Sequence, residues 1–339
     1  MQNGLFTNIE GLKNEQRVSL RRGGNEIYSA RNDRGSYGGG EKFVMKAYLL
    51  ISHLRIHNAN AMSSTLTIGV PAMTAWLGAV HALERKLGER REPALEGIRL
   101  VKTAVSYHKT NLQIYKGLGD YVNSLVGTAN PLNEKGERPS FIEDARIHLS
   151  VSLLIEAERV DGNNMELLEQ AVKEILPRMK MAGGDILDIR KIQVMRINED
   201  NPISVRKVIS TLMPGYIPIE RRDLMEAKEL EGKDSLDRLL HYLKVHQMAE
   251  KDESGKVTDW KYEKAAAGWI APLAVGFKGL SPLGKVKNQR DPDTPHRFAE
   301  SIVTLGEFKM AHRFRDIDEM MWHYAYEETN QLYLCKNKE

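Results

Sequence analysis

ISHLRIHNANAMSSTLTIGVPAMTAWLGAVHALER, residues 51–85, sets the reading of the whole chain. An apolar strand-like run passes into a polar turn of small residues, and an amphipathic helix follows. The turn holds Asn58, Asn60, Ser63, Ser64 and Thr65 and no acid. It therefore offers amide and hydroxyl hydrogen-bonding groups without a general acid or base. Pro71 suits a first helical position and Gly88 the residue beyond a helix end. Between them Met73, Leu77, Val80, Leu83 and Leu87 recur every three or four residues and share one face. Upstream, AYLLISHLRIH (47–57) begins apolar at successive positions, as a strand buried on both faces does.

Working outward, RIHLSVSLLI (146–155) gives the clearest strand. Ile147, Leu149, Val151, Leu153 and Ile155 alternate with Arg146, His148, Ser150 and Ser152, which puts one face in a core and one on an open sheet. LEGIRLVKTAVSY (95–107) is a candidate strand before it. A helix is expected after it from Asn164 to Met181, with Met165, Leu168, Val172, Ile175, Leu176 and Met179 buried, Pro177 interrupting and Gly183-Gly184 ending it. The order strand, helix, strand, strand, helix predicts an α+β sandwich of the ferredoxin-like type over 47–189.

The flanks divide into three. Residues 1–46 read as a flexible N-terminal extension, because RRGGNEIYSARNDRGSYGGG (21–40) has few apolar side chains to offset its ordering entropy. Residues 190–265 read as an insertion, with a helix at 235–250 capped by Asp234 and an exposed loop from Glu250 to Asp259. Residues 266–339 complete the core. They hold a Gly- and Pro-rich apolar stretch (268–283), a helix from about Pro295 with Phe298, Ile302 and Leu305 inward, a last helix at 316–324 and a strand at 331–334.

Bulk properties narrow the function classes. The 339-residue chain carries a formal charge of only +3, with a sequence pI near 8.7, so charge distribution has to decide any polyanion partner. No apolar run reaches the ~20 residues of a membrane span, and no basic-then-apolar leader opens the chain, so a cytoplasmic location is expected. The single cysteine, Cys335, excludes an internal disulfide framework and a cysteine-rich zinc site. Ten scattered histidines form no H-E-x-x-H, and there is neither a G-x-S-x-G elbow nor a Walker P-loop. No catalytic residue, metal or cofactor is assigned.

Nucleic-acid binding is the better physical case. Residues 285–315 carry seven basic side chains (Lys285, Lys287, Arg290, Arg297, Lys309, Arg313, Arg315) against four acidic ones, and Arg290 and Arg297 flank the rigid turn D-P-D-T-P. Gly276, Gly279 and Ser281 lie in a Gly-rich loop that would let a ligand approach the backbone, although a tight turn between strands is equally served by them.

Several blocks then agree in order with one family. HNANAMSSTLTIGVPAMTAWLGAVHALERKLG (57–88), NPLNEKGERPSFIEDARIHLSVSLLI (130–155), KMAGGDIL (180–187), GWIAPLAVGFKGLSP (268–282), KNQRDPDTPHRFAESIVTLGEF (287–308) and MMWHYAY (320–326) resemble the Cas-five-type subunit, the second Csy protein, of the type I-F CRISPR surveillance complex (Cascade). The resemblance spans about 47–335 and is weakest over 190–265. It implies an RRM-like, ferredoxin-type core with an inserted thumb-like region, and a noncatalytic subunit that binds the 5′ handle of the CRISPR RNA. It also implies docking on the large subunit and the first repeated backbone subunit, with target DNA reached through the assembled complex. By matching position, the RNA-binding candidates are Asn58, Asn60, Ser63, Ser64, Gly276, Gly279, Ser281, Lys287, Asn288, Arg290 and Arg297. Because some relatives process CRISPR transcripts, an endoribonuclease is the alternative, with His57, His148 and His296 as candidate bases.

Overall fold

β1 (Met45–Asn60) is the spine of the molecule, because both of its edges are paired and both of its faces are covered over the first half. A computed structural model of the chain describes residues 45–127, 131–138, 144–287, 289, 291 and 293–337. Of the N-terminal extension, only Met45 and Lys46 fall within that range, and they begin β1.

Along the chain, a short ribbon of β2 (Met62–Ser64) and β3 (Thr67–Ile68) follows β1, then α1 (Met73–Glu89), β4 (Arg99–Leu112) and a second ribbon of β5 (Ile114–Tyr115) with β6 (Ser124–Leu125). Next come β7 (Arg146–Glu158), α2 (Met165–Ile175), β8 (Lys180–Met181) and β9 (Gly184–Asn198). The remaining elements are α3 (Pro202–Thr211), β10 (Tyr216–Glu220), α4 (Arg222–Met225), α5 (Ser235–Leu243), β11 (Val245–Lys251) and β12 (Val257–Lys264). β13 (Ile270–Gly279), β14 (Ala299–Met310), β15 (His323–Glu327) and β16 (Leu332–Lys336) complete it. Ten strands form one antiparallel sheet in the order β15-β16-β13-β14-β10-β4-β7-β1-β9-β8. The result is a mixed α/β protein with a large antiparallel sheet and few helices.

The alternation in 146–155 holds. Ile147, Leu149, Val151, Leu153 and Ile155 all enter one core, with Leu49, Ile51, Leu54 and Ile56 of β1 beside them. α1 and α2 cover that face with Trp76, Leu77, Val80, Leu83, Leu168 and Val172. Trp76 brings its one donor into the core and satisfies it there, donating Nε1–H to the buried Tyr107 Oη at 2.8 Å. The opposite face is open only in part. Tyr48, Leu50, Ala104 and Leu154 are buried there under α3, Phe314, Met320 and Met321. Ser152 is buried too, while His148 and Ser150 stay half-buried.

Several local expectations change. α2 stops at Ile175, because Pro177 has no N–H and belongs to a 3-10 turn (176–178). Gly183 then serves a hairpin rather than a helix end. Ala182 and Gly183 both have positive φ, 50° and 79°, as a tight β8–β9 turn requires. The expected helix from Pro295 is β14, whose β-branched Ile302, Val303 and Thr304 pair with β13. The expected helix at 316–324 is a 3-10 turn (318–320) running into β15. The helix at 235–250 ends at Leu243, and the expected loop 250–259 is the tip of the β11–β12 ribbon. Of 190–265, β9 and β10 belong to the main sheet, whereas α4, α5 and the ribbon lie outside it.

A polar knot ties β1, β4, β7 and the chain after β9 together. Lys46 Nζ reaches Glu199 at 2.7 Å and Asp318 at 3.3 Å, Lys102 Nζ reaches Asp318 at 3.0 Å, and Tyr48 Oη donates to Glu199. Glu156 sits among them with a buried Oε2 that has no hydrogen-bond partner. Burial pushes its carboxyl up, and the nearby Lys46 and Lys102 do not fully offset it. Asp318 has the opposite sign: burial opposes its charge, but the bonds and charges of Lys102 and Lys46 outweigh burial and hold it low. A raised acid keeps its proton in the folded state, so its contribution is present below the unfolded value, about 4.5, and lost as pH rises through the folded one. Glu156→Gln is therefore expected to raise the melting temperature at pH 8 and to change it little at pH 4. Calorimetry at the two pH values checks this, and a loss of stability at pH 8 would contradict it.

Candidate nucleic-acid interface

The turn after β1 is built by its own side chains. Asn58 takes φ 55°, a left-handed conformation that Asn tolerates, and its N–H donates to His148 Nδ1 at 3.1 Å. Asn60 accepts from Met62 N at 3.0 Å and donates to Met62 O at 3.2 Å, so both ends of its amide are used locally. Ser63 and Ser64 share Thr67 Oγ1 at 2.8 and 2.7 Å, and Ser64 Oγ also accepts from Leu66 N. Side-chain bonds of this kind are the usual work of Asn and Ser in turns. The ribbon they shape lies against β13 and β14, which brings the first loop to the Gly-rich strand.

Gly276 and Gly279 lie within β13, and protein already fills the space beside them. A Cβ on Gly276 would stand 2.2 Å from the Tyr333 carbonyl oxygen of β16, and one on Gly279 would stand 2.8 Å from Arg297 Cδ. These glycines admit a neighbouring strand and an arginine side chain, which corrects the expectation of ligand access. Arg297 is correspondingly committed: its guanidinium donates to Gln331 Oε1, and its buried Nε has no partner. Ser281 Oγ accepts from Phe298 N at 3.0 Å and helps close the loop joining β13 to β14. Within that loop Gln289 bonds Val286, Asp291 and Thr294. Lys285 and Lys287 are exposed on it. Asn288 and Arg290 lie outside the described residues.

The open sheet face expected from the 146–155 alternation, which supplied none of the RNA-binding candidates, is a third surface, the uncovered half of the main sheet. Two imidazole pairs stack there. His53 and His108 have ring centroids 4.2 Å apart, and His57 and His148 are 4.1 Å apart. Register shifts in β1 between Ile51 and Leu54, and again between Ile56 and Ala59, lie at His53 and His57. Burial lowers the pKa of His53, His108 and His148; the His108 and Arg190 charges add to it at His53, and the His57 charge adds to it at His148. These three imidazoles are therefore mainly neutral near pH 7 and offer flat ring faces and hydrogen bonds rather than charge. The signal was present in the sequence, as the polar half of the 146–155 alternation.

The β11–β12 ribbon is a fourth surface. Cross-strand pairing of Val245 with Lys264, Gln247 with Tyr262 and Ala249 with Trp260 puts these six on one face. Trp260 and Tyr262 are 50% and 67% exposed. The other face takes Glu250, Asp259 and Glu263, so the acids are segregated from the aromatics. Flat aromatic faces on the same side as a cation, Lys264, and away from acids suit single-stranded nucleic acid.

Together these surfaces give the protein a polar, partly open sheet and an exposed aromatic ribbon. Among the described residues, no group of three or more His, Cys, Asp or Glu side chains could hold a metal ion, and no helix is long and apolar enough to cross a membrane. The model of the CRISPR-associated protein (Cas_Csy2) family matches residues 49–335, and the chain belongs to that family. It is 30% identical over 314 residues to the CRISPR-associated protein Csy2 of Pseudomonas aeruginosa (strain UCBPP-PA14), covering 85% of this chain and 94% of that relative.

The packing of Gly276 makes a prediction that separates structure from ligand binding. Gly276→Ala is expected to destabilise the fold by about 1–3 kcal/mol, as overpacking does, because a backbone oxygen cannot move aside. Gly279→Ala should cost less, since the flexible Arg297 side chain can shift. Thermal melts of the two variants check the order, and a neutral Gly276→Ala would refute this packing role.

Proposed function

We propose that this protein is a noncatalytic subunit of the type I-F CRISPR surveillance complex that holds the 5′ handle of the CRISPR RNA. Family membership over residues 49–335 is the observation that carries the reading. The sheet supports it. β1, α1, β4, β7, α2 and β9 run strand, helix, strand, strand, helix, strand, and the sheet order β4-β7-β1-β9 with both helices on one face fits an RRM-like, ferredoxin-type core. In such a core the open face is where RNA bases stack. The stacked imidazole pairs, with Arg55 and Lys109 near them in sequence, supply ring faces and cations there. α4, α5 and the β11–β12 ribbon are the thumb-like region in this reading.

The assembled complex would be formed with the large subunit and the first repeated backbone subunit, in the cytoplasm. Target DNA is then read by pairing with the guide, while protein holds the backbone. The noncatalytic part rests on how the histidines are spent. His108 bonds Pro214 O through Nδ1 and Ser152 Oγ through Nε2, so neither nitrogen is free for proton transfer, and His148 Nδ1 accepts from Asn58 N. The stack of the exposed His57 on the half-buried His148 is the one observation that favours the endoribonuclease alternative.

Co-expression with the other complex subunits and a CRISPR RNA is expected to yield a co-purifying assembly. In direct binding to the handle RNA, Lys285→Ala with Lys287→Ala should weaken affinity. It should also flatten the slope of log K against log salt by about 1.4, that is ~0.7 for each single-strand phosphate that the two lysines neutralise. Unchanged affinity and slope would remove the loop from the interface. Metal-independent cleavage of repeat RNA, abolished by His57→Ala, would replace the noncatalytic reading with the endoribonuclease.

A further inference from the structure

The outer edge of β9 is the longest unpaired run of backbone in the sheet. β8 covers only its first residues, pairing Lys180 with Asp185 and Met181 with Gly184, so among the described residues no strand lies outside Ile186–Asn198. Open edges are templates for further strands, and proteins normally blunt them. Here the far end is blunted by α2, where Glu169 Oε1 accepts the outward N–H of Val194 at 2.8 Å. Ladder alternation turns the backbone groups of Ile192 and Arg190 outward in the same sense. Among the described residues no strand pairs with these. Instead a groove of about 400 Å³ runs along residues 186–192, walled on its other side by Lys173 and Pro177.

We propose that this groove accepts an extended, acidic peptide segment of a partner protein, which adds as a strand to β9. Three features point to that occupant. The groove follows seven consecutive strand residues, about 20 Å of β-structure, which fits a short strand better than a globular side chain. Ile186 and Ile189 are only partly buried on its wall and offer apolar seats, and Leu187 is exposed at a register shift. Its charges are Lys173, Arg190 and Lys191 against Asp188 alone. Charged side chains on an edge exclude strands of their own sign, so this edge rejects basic segments and admits acidic ones. The chain's own residues 1–44 do not complement it, since they carry seven Lys and Arg against five Asp and Glu.

The test uses the full-length chain and a blocked heptapeptide of alternating Val and Glu, read by hydrogen exchange and fluorescence anisotropy. The expected result is slower exchange at the outward amides of Arg190 and Ile192. Binding should weaken at high salt and fall by about tenfold or more in Lys173→Glu with Arg190→Glu. N-methylation of alternate peptide nitrogens should abolish both effects, because it removes ladder donors. A Val–Lys peptide that protects equally well would overturn the proposal. So would protection by oligouridine in place of the peptide, which would make the groove a nucleic-acid site. The outward amides of Arg190 and Ile192 already protected in the free chain would show that the chain covers its own edge, and no protection of them at millimolar peptide would also refute it.

Discussion

Everything in this molecule depends on β1 serving two environments in sixteen residues. Its first half is hydrogen-bonded to β7 and β9 and buried on both faces, from Ala47 to Ile51. Its second half keeps one buried face, with Leu54, Ile56 and Ala59 in the core, and turns His53, Arg55 and His57 toward partial or full exposure. A regular ladder would carry the first pattern straight through. The register shift against β7 between Ile51 and Leu54 adds a residue in β1, and the positive φ of His53 marks the place. Without it the apolar set beyond Ile51 would rotate onto the wrong face. The same irregularity that keeps Leu54 in the core stacks His53 on His108.

The closed half of the sheet explains why the polar knot is tolerated. Lys46, Lys102, Glu156, Glu199 and Asp318 come from distant parts of the chain, and burying them costs solvation that hydrophobic contacts do not have to lose. What they supply is a fixed geometry. Glu199 and Asp318 bring the end of β9 and the chain before β15 onto β1 and β4, where Trp322 bridges to Thr103. The one uncompensated member is Glu156, whose charge is the least favourable in the set.

Much of the fold could be read from residues because burial there is one-sided or periodic. The 146–155 alternation, the α1 stripe and the double-sided run at 47–51 each encode a face, and each face found its core. Strand and helix were confused where spacing was compatible with both. Phe298, Ile302 and Leu305 fall at helical intervals, yet β14 is fixed by long-range pairing to β13, which no local window contains. The ribbon at 245–264 hid because all of its residues but Ala249 and Glu250 are exposed, so its alternation separates acids from aromatics rather than inside from outside. For the candidate site, residue types located the turn at 58–68 and the basic loop. They could not say that Gly276 and Gly279 yield space to Tyr333 and Arg297, since those partners lie far along the chain.

The distribution of polar groups then separates two kinds of surface. At the 58–68 turn, the amide and hydroxyl groups that looked available bond to one another or to nearby backbone, so the turn supplies shape. On the uncovered sheet, imidazole rings stack in pairs at partial exposure, and on the β11–β12 ribbon Trp260 and Tyr262 stand exposed on the face that carries Lys264. A ligand whose bases stack and whose backbone is charged gains more from the second kind, because stacking needs little desolvation of hydrogen-bonding groups. The absence of acids from the 58–68 turn therefore reflects a loop that must fold without competing charges. The stacked histidines lie a few residues upstream, where the same strand carries His53 and His57 into the open half of the sheet.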